Sequence, residues 1–341
     1  MTASVHKNTG STYSKAFKHW AVWRHARKQP LFLSEDLTAR QRQDEVIDFY
    51  VYHSYVCNYA PNTLWVWIYA VRYFHMVTEI DFDLKVMARL KIVQHGWQRN
   101  YGAPQRKLPV TVPLIRDVFY HGGLSTERWD DLMVLLAIVL AFSFLWRSCE
   151  YAMRSNIIDF EKCLRIEDSL FALDDCDVSV PAPLPINEYV CYHRTHKSDF
   201  LHQGSSNNLY IDEGTEFCPI RLLNLARSMR PSHFDDGKHF LLQCDSGRPV
   251  RVEDVQEALQ AGAERLSLSV EDISSHSLRA GGATAMSAMG KSDAEIQERG
   301  RWKSLCFKIY VWASRAKQAM FGKSLWATAP SLFANTAAAR R

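Results

Sequence analysis

The 341-residue chain has no long Ser, Gly or Gln tract, no C-x-x-C pair and no G-x-x-x-x-G-K-[ST] loop, and its carboxylates do not gather into a two-metal cluster. Each gap removes a class of function. Without low-complexity tracts, and with 47% hydrophobic and 12% aromatic residues, the chain is expected to be folded along most of its length. Eight cysteines at 57, 149, 163, 176, 191, 218, 244 and 306 follow no regular spacing. The N-terminal MTASVHKNTGSTYSKAF holds no apolar leader core, so reduced thiols and an intracellular setting are expected, nuclear in a eukaryote and otherwise cytoplasmic. The missing loop takes away nucleotide hydrolysis, and the missing cluster takes away a two-metal nuclease. Long apolar runs are also scarce. The strongest, Leu132 to Trp146, is fifteen residues between Asp131 and Arg147, short of the ~20 that span a bilayer, so it reads as a buried helix and no membrane partner is expected. Charge of one sign is slight, at +4 net, which permits a nucleic-acid partner without requiring one.

What is present divides into two parts. From about residue 13 to 100 the pattern predicts four helices. The first covers Ser14 to Arg27. The second opens at Thr38 with Gln41 three residues on, a capping-box spacing, and aligns Val46, Phe49, Tyr50 and His53. The third follows Pro61 and aligns Leu64, Ile68, Val71 and His75; the fourth covers Leu84 to Gln98. The segment YGAPQRKLP then reads as a linker. Beyond it, helical patterns frame short strand-like pieces, NEYVCYHRTH and NNLYID, around the turn-like SDFLHQGSS, and helical patterns continue past Tyr310. The expected fold is mainly α with a small β-sheet, in two domains, 1–105 and 106–341.

The chemistry concentrates in HSLRAGGATAMSAMGKSDAEIQERGRWKSLCFKIY, residues 276 to 310. Cleaving a phosphodiester without a metal takes a nucleophile, cations for the nonbridging oxygens, and an acid for the leaving alkoxide. His276 and Arg279 are three apart and share a helix face; arginine suits phosphate because its planar fork stays charged and binds two oxygens. Gly281 and Gly282 leave room for close helix packing behind them. Trp302 and Tyr310 follow, and Tyr310 is the sole tyrosine after Tyr210. Cys191, His193 and His196 also spell C-x-H-x-x-H, but no complementary pair follows and a strand turns the two histidines to opposite faces, so no metal is expected.

The segment resembles the C-terminal signature of the tyrosine recombinase and phage integrase family: His-x-x-Arg, then His or Trp, then the nucleophilic Tyr. The resemblance extends upstream. Arg147 and Glu150 in FLWRSCEYAMR match the family's first arginine and its acidic neighbour, and Lys197 in YHRTHKSDF matches its hairpin lysine. Many members have Gly-His where this chain has Arg301-Trp302, while a subset, including the Cre type and the recombinases of some eukaryotic mobile elements, has Trp; the eight-residue step to Tyr310 is one shorter than the commoner spacing. The resemblance implies a helical SAM-like core-binding domain clamped with an α+β catalytic domain around double-stranded DNA. It implies that Tyr310 forms a 3′-phosphotyrosyl bond while Arg147 and Arg279 hold the phosphate. Lys197 would then protonate the leaving oxygen, His276 serve as base or phosphate ligand, Trp302 position the phosphate and Glu150 orient the cations. It further implies no cofactor and no nucleotide, a homotetramer on two DNA sites, and a C-terminal helix exchanged between neighbours, with Ala316, Met320, Phe321 and Leu325 as its apolar stripe. A type IB topoisomerase, or a catalytically silent DNA-binding descendant, would share much of this pattern.

Overall fold

The computed structural model describes residues 7–102, 106–178, 184–195, 199, 203–212, 214–215, 217–234 and 239–312. The chain divides into two compact units, Met1–Gln105 and Arg106–Arg341.

Among its described residues, the first unit is built from α1 (Lys7–Ala26), α2 (Ala39–Val51), α3 (Pro61–Val77) and α4 (Ala88–Tyr101). Thr38 caps α2: its hydroxyl accepts from the Gln41 amide at 3.3 Å, and Gln41 Oε1 accepts from the Thr38 amide at 2.9 Å. A single π-helical turn, Tyr52–Val56, extends α2 and carries His53 inward. Pro61 begins α3, where its missing N–H removes no helix hydrogen bond. The periodic residues Val46, Phe49, Tyr50, Leu64, Ile68 and Val71 meet Trp20 and Leu90 in one core. The fourth helix starts later than the pattern suggests, because Asp83 Oδ1 takes the Lys85 amide at 2.8 Å and fixes a turn first.

His75 closes this core. Its Nδ1 bonds the Val71 carbonyl at 2.8 Å and its Nε2 accepts from the Leu33 amide at 3.0 Å, so the ring is neutral and pins the loop after α1. Burial pushes its pKa down from 6.5 to about 4, against the raising effect of the Val71 bond. A depressed histidine stabilises the fold fully above the ordinary value, and that contribution, about 3 kcal/mol, is lost as pH falls towards 4. His19 and His53 shift in the same direction, again through burial. Urea unfolding followed by tryptophan fluorescence should therefore show wild type losing stability on acidification, with a flatter pH response in His75→Leu. Equal pH slopes in the two proteins would refute this role.

The second unit places α5 (Val112–His121) and α6 (Trp129–Ser143) before a short helix α7 (Ser148–Tyr151). Strands β1 (Ser169–Leu173), β2 (Cys176–Asp177), β3 (Glu188–His193) and β4 (Ser205–Tyr210) form an antiparallel sheet in the order β2-β1-β3-β4. Tyr189, Cys191 and His193 alternate inward along β3. Helices α8 (Pro219–Met229), α9 (Val252–Arg265), α10 (His276–Ala288) and α11 (Asp293–Arg299) follow, then a 3-10 turn, Leu305–Ile309. Every residue from Leu132 to Ala141 of α6 is buried, since α8, α9 and α10 all pack on that helix. No helix among the described residues is long and apolar enough to cross a membrane. The expected helical continuation beyond residue 312, with its apolar stripe, lies outside the described residues.

Candidate active site

The site begins where α6 ends. The apolar run continues to Trp146, yet the helix stops at Ser143 because Leu145 takes a left-handed conformation, φ 53°. The Trp146 amide then reaches back to the Ala141 carbonyl at 3.0 Å, a Schellman closure. Leu145 accepts this conformation because its side chain is buried with Ala283, Ile296, Trp302 and Phe307, in a cluster separate from the main core. Arginines cap the carbonyls left over. Arg299 Nε donates to Ser143 O at 3.0 Å, Arg301 Nη1 to Phe144 O at 3.3 Å, and Arg279 Nη1 to Leu145 O. Cations suit the partial negative charge of a helix C-terminus.

The turn delivers Arg147 and Glu150. Arg147 caps α7: its amide donates to Glu150 Oε2 at 2.8 Å and its Nη1 to Oε1 at 3.0 Å. Glu150 is 1% exposed and is gripped from behind by Arg301, whose Nη2 lies 2.7 Å from Oε2. Burial alone would raise the Glu150 pKa. The charges of Arg301, His193, Arg147 and Arg279 outweigh it and hold the carboxyl at about 2.

Helix α10 presents His276 in its first turn and Arg279 one turn on. It lies close to its neighbours because a Cβ on Gly281 would stand 2.0 Å from the Val110 carbonyl oxygen, and one on Gly282 2.1 Å from that of Phe142. The room expected behind Arg279 is thus used by backbone. Arg279 is 1% exposed, donates to the Leu145 and Gly300 carbonyls, and lies 4.0 Å from the centre of the Trp302 ring. Burial, then the nearby Arg147 charge, lowers its pKa to about 9, so it remains a cation at neutral pH. His276 is held below its ordinary value by partial desolvation and by Arg279 and Arg147.

Tyr310 ends the 3-10 turn and is half-buried. Its ring stacks on Trp302 at 5.5 Å and 27°, and meets His276 edge-on at 5.1 Å. Its carbonyl accepts from Thr284 Oγ1 at 3.1 Å, tying the turn to α10. The shortened Trp302–Tyr310 step is accommodated by this tight turn. Of the residues singled out from the sequence, Arg147, Glu150, His276, Arg279, Trp302 and Tyr310 thus meet in one place; Lys197 lies outside the described residues. The pattern reading missed Arg301 and assigned no role to His193, which is buried and close enough to Glu150 to favour its charge. A local signal for Arg301 existed in its departure from the Gly-His pattern, but not its partner.

No protein-family model and no curated protein matches the sequence. Solved structures do match in shape. The XerH site-specific recombinase, in a post-cleavage complex with palindromic difH substrate, aligns over 94% of this chain and 79% of its own at 14% identity and a TM-score of 0.53. A fragment of the Tn1549 transposon integrase, in complex with transposon right-end DNA, aligns over 95% of both chains at 10% identity and the same TM-score. The chain therefore has the tyrosine recombinase fold.

Proposed function

We propose that this protein is a DNA recombinase that cuts and rejoins strands through a 3′-phosphotyrosyl bond to Tyr310. The observation that carries the reading is the gathering of Tyr310, His276, Trp302 and Arg279 around one another, with Arg147 anchored beside them on Glu150. The Tyr310 oxygen attacks phosphorus in line, forming the O–P bond as the bond to the 5′ oxygen breaks. His276, neutral at physiological pH, accepts the phenolic proton. Arg147 and the N–H groups of Arg279 not used by backbone carbonyls balance charge on the nonbridging oxygens in the transition state. Lys197 protonates the leaving 5′ oxygen. The phosphotyrosine conserves the diester bond energy, so rejoining is the reverse of cleavage and needs no nucleotide.

In this reading residues 1–105 are the core-binding domain and residues 106–341 the catalytic domain on double-stranded DNA, acting as a homotetramer with an exchanged C-terminal segment; the element served is a mobile one. The test is covalent capture. Nicked duplexes with a randomised centre are incubated with the protein, denatured, and the protein-linked DNA is sequenced and its attachment site mapped by mass spectrometry. Attachment at Tyr310 with a shared sequence among captured duplexes is expected. Attachment elsewhere, or capture without sequence preference, would overturn the reading in its nucleophile or in its site specificity respectively.

A further inference from the structure

We propose that Arg301 is a positioning residue of this site: through Glu150 it holds the Arg147 guanidinium in the orientation that grips the scissile phosphate. The role given to Arg147 rests on the recombinase reading above; the linkage itself rests on geometry.

Arg301 adopts φ 57°, a region that bulky residues seldom enter. Its surroundings therefore hold it there, and its contacts say what for. One terminal nitrogen donates to the Phe144 carbonyl at 3.3 Å; the other lies 2.7 Å from Glu150 Oε2. The same Oε2 accepts the Arg147 amide, while Oε1 accepts the Arg147 guanidinium. Both carboxylate oxygens are thereby engaged, and the carboxylate plane is fixed from two sides. The pair is dry at one end and open at the other: the Arg301 and Glu150 side chains are 2% and 1% exposed, that of Arg147 20%. Both terminal nitrogens of Arg301 are taken, one by the Phe144 carbonyl and one by Glu150, so its bonded route towards the phosphate runs through Glu150 to Arg147.

Electrostatics gives the linkage a distinct signature. Burial favours the neutral form of Glu150, and Arg301 is the foremost cation opposing it. Without Arg301 the balance moves towards the neutral carboxyl, and a neutral acid loses the charge-assisted bonds that orient Arg147. The other groups facing Glu150 are Arg147, Arg279, His193, the Cys149 and Cys191 thiols and the Tyr151 phenol. Arg147, Arg279 and His193 also favour the carboxylate and stay in place when Arg301 is removed, so they soften the change without supplying the Arg301 bond.

The test uses a duplex recovered by covalent capture and compares wild type, Arg301→Lys, Arg301→Met and the double variant Arg301→Met/Glu150→Gln. In Arg301→Met the single-turnover rate of covalent attachment should fall by about 100-fold near pH 6.5, the scale of a misplaced catalytic group. The defect should shrink as pH rises from there to about 8, with DNA affinity unchanged. Arg301→Lys, which keeps the cation, should restore most of the rate and flatten the pH profile. The double variant has no unpaired buried carboxylate, so it folds even where Arg301→Met does not, and it should be slow at every pH. A wild-type rate in Arg301→Met or in the double variant would overturn the proposal, as would a pH-independent defect that lysine fails to rescue. A second readout is independent of DNA: the carboxyl carbon of Glu150, labelled with carbon-13 and assigned by its absence in Glu150→Gln, should take up its proton at a higher pH in Arg301→Met than in wild type. If Glu150 titrates alike in the two proteins, the linkage falls. If wild type forms no covalent complex, the recombinase reading and the catalytic consequence fail together, while this measurement still judges the linkage.

Discussion

Tyr310→Phe should fold normally and form no covalent DNA complex. The substitution removes one hydroxyl and keeps the ring that stacks on Trp302 and meets His276. The half-buried position and retained packing keep the stability change within about 1 kcal/mol. The preceding tyrosine in the chain is Tyr210, on β4, and Tyr151, next to Glu150, is buried, with burial pushing its phenol pKa up. Loss of a nucleophile typically costs on the order of 10⁴-fold or more, so attachment should drop below detection while sequence-specific DNA binding persists. Gel-shift and denaturing-gel assays run on the same samples separate the two. Attachment that survives in Tyr310→Phe would exclude Tyr310 as the nucleophile.

The second large effect is on stability. Glu150→Ala should lower the unfolding free energy of the second unit by about 3–5 kcal/mol, the cost of leaving a buried charge without its partner. That charge is Arg301, which keeps its hydrogen bond to the Phe144 carbonyl. A shift of about 10 °C in the melting temperature follows for a unit of this size. Glu150→Gln should cost less, since its amide oxygen, placed as Oε2, can still accept from Arg301 and from the Arg147 main-chain amide. The pH dependence has a definite sign. The carboxyl is depressed from 4.5 to about 2, so its contribution is present above 4.5 and is lost as pH falls through that window. Wild type should lose stability more steeply than Glu150→Gln below about pH 4.5, and calorimetry across that range checks it. Parallel curves would show that the Glu150 charge does not support the fold.

Much of the architecture is legible because it is set by short-range patterns. The capping box at Thr38 and Gln41 and the stripe of Leu64, Ile68, Val71 and His75 are local consequences of helix geometry, and each is found in place. The strands at NEYVCYHRTH and NNLYID likewise appear as β3 and β4, joined by an alternation that a pleated strand imposes. The His276–Arg279 spacing is one helical turn. The end of α6 was not legible: nothing in an apolar run marks Leu145 for a left-handed turn, because the cause is a pocket formed by residues from Ala283 to Phe307.

The sequence by itself determined which residue types stand ready for phosphate chemistry and on which kind of element each one sits, since periodicity and motif spacing are properties of neighbouring residues. Tertiary structure alone decided their electrostatic arrangement. Arg279 meets Leu145 across 134 positions and Arg301 meets Glu150 across 151, separations at which no pattern along the chain specifies a partner. Folding brings several arginines to the end of one buried helix, and such crowding of like charge is tolerable because those carbonyls and a single buried carboxylate are there to receive them.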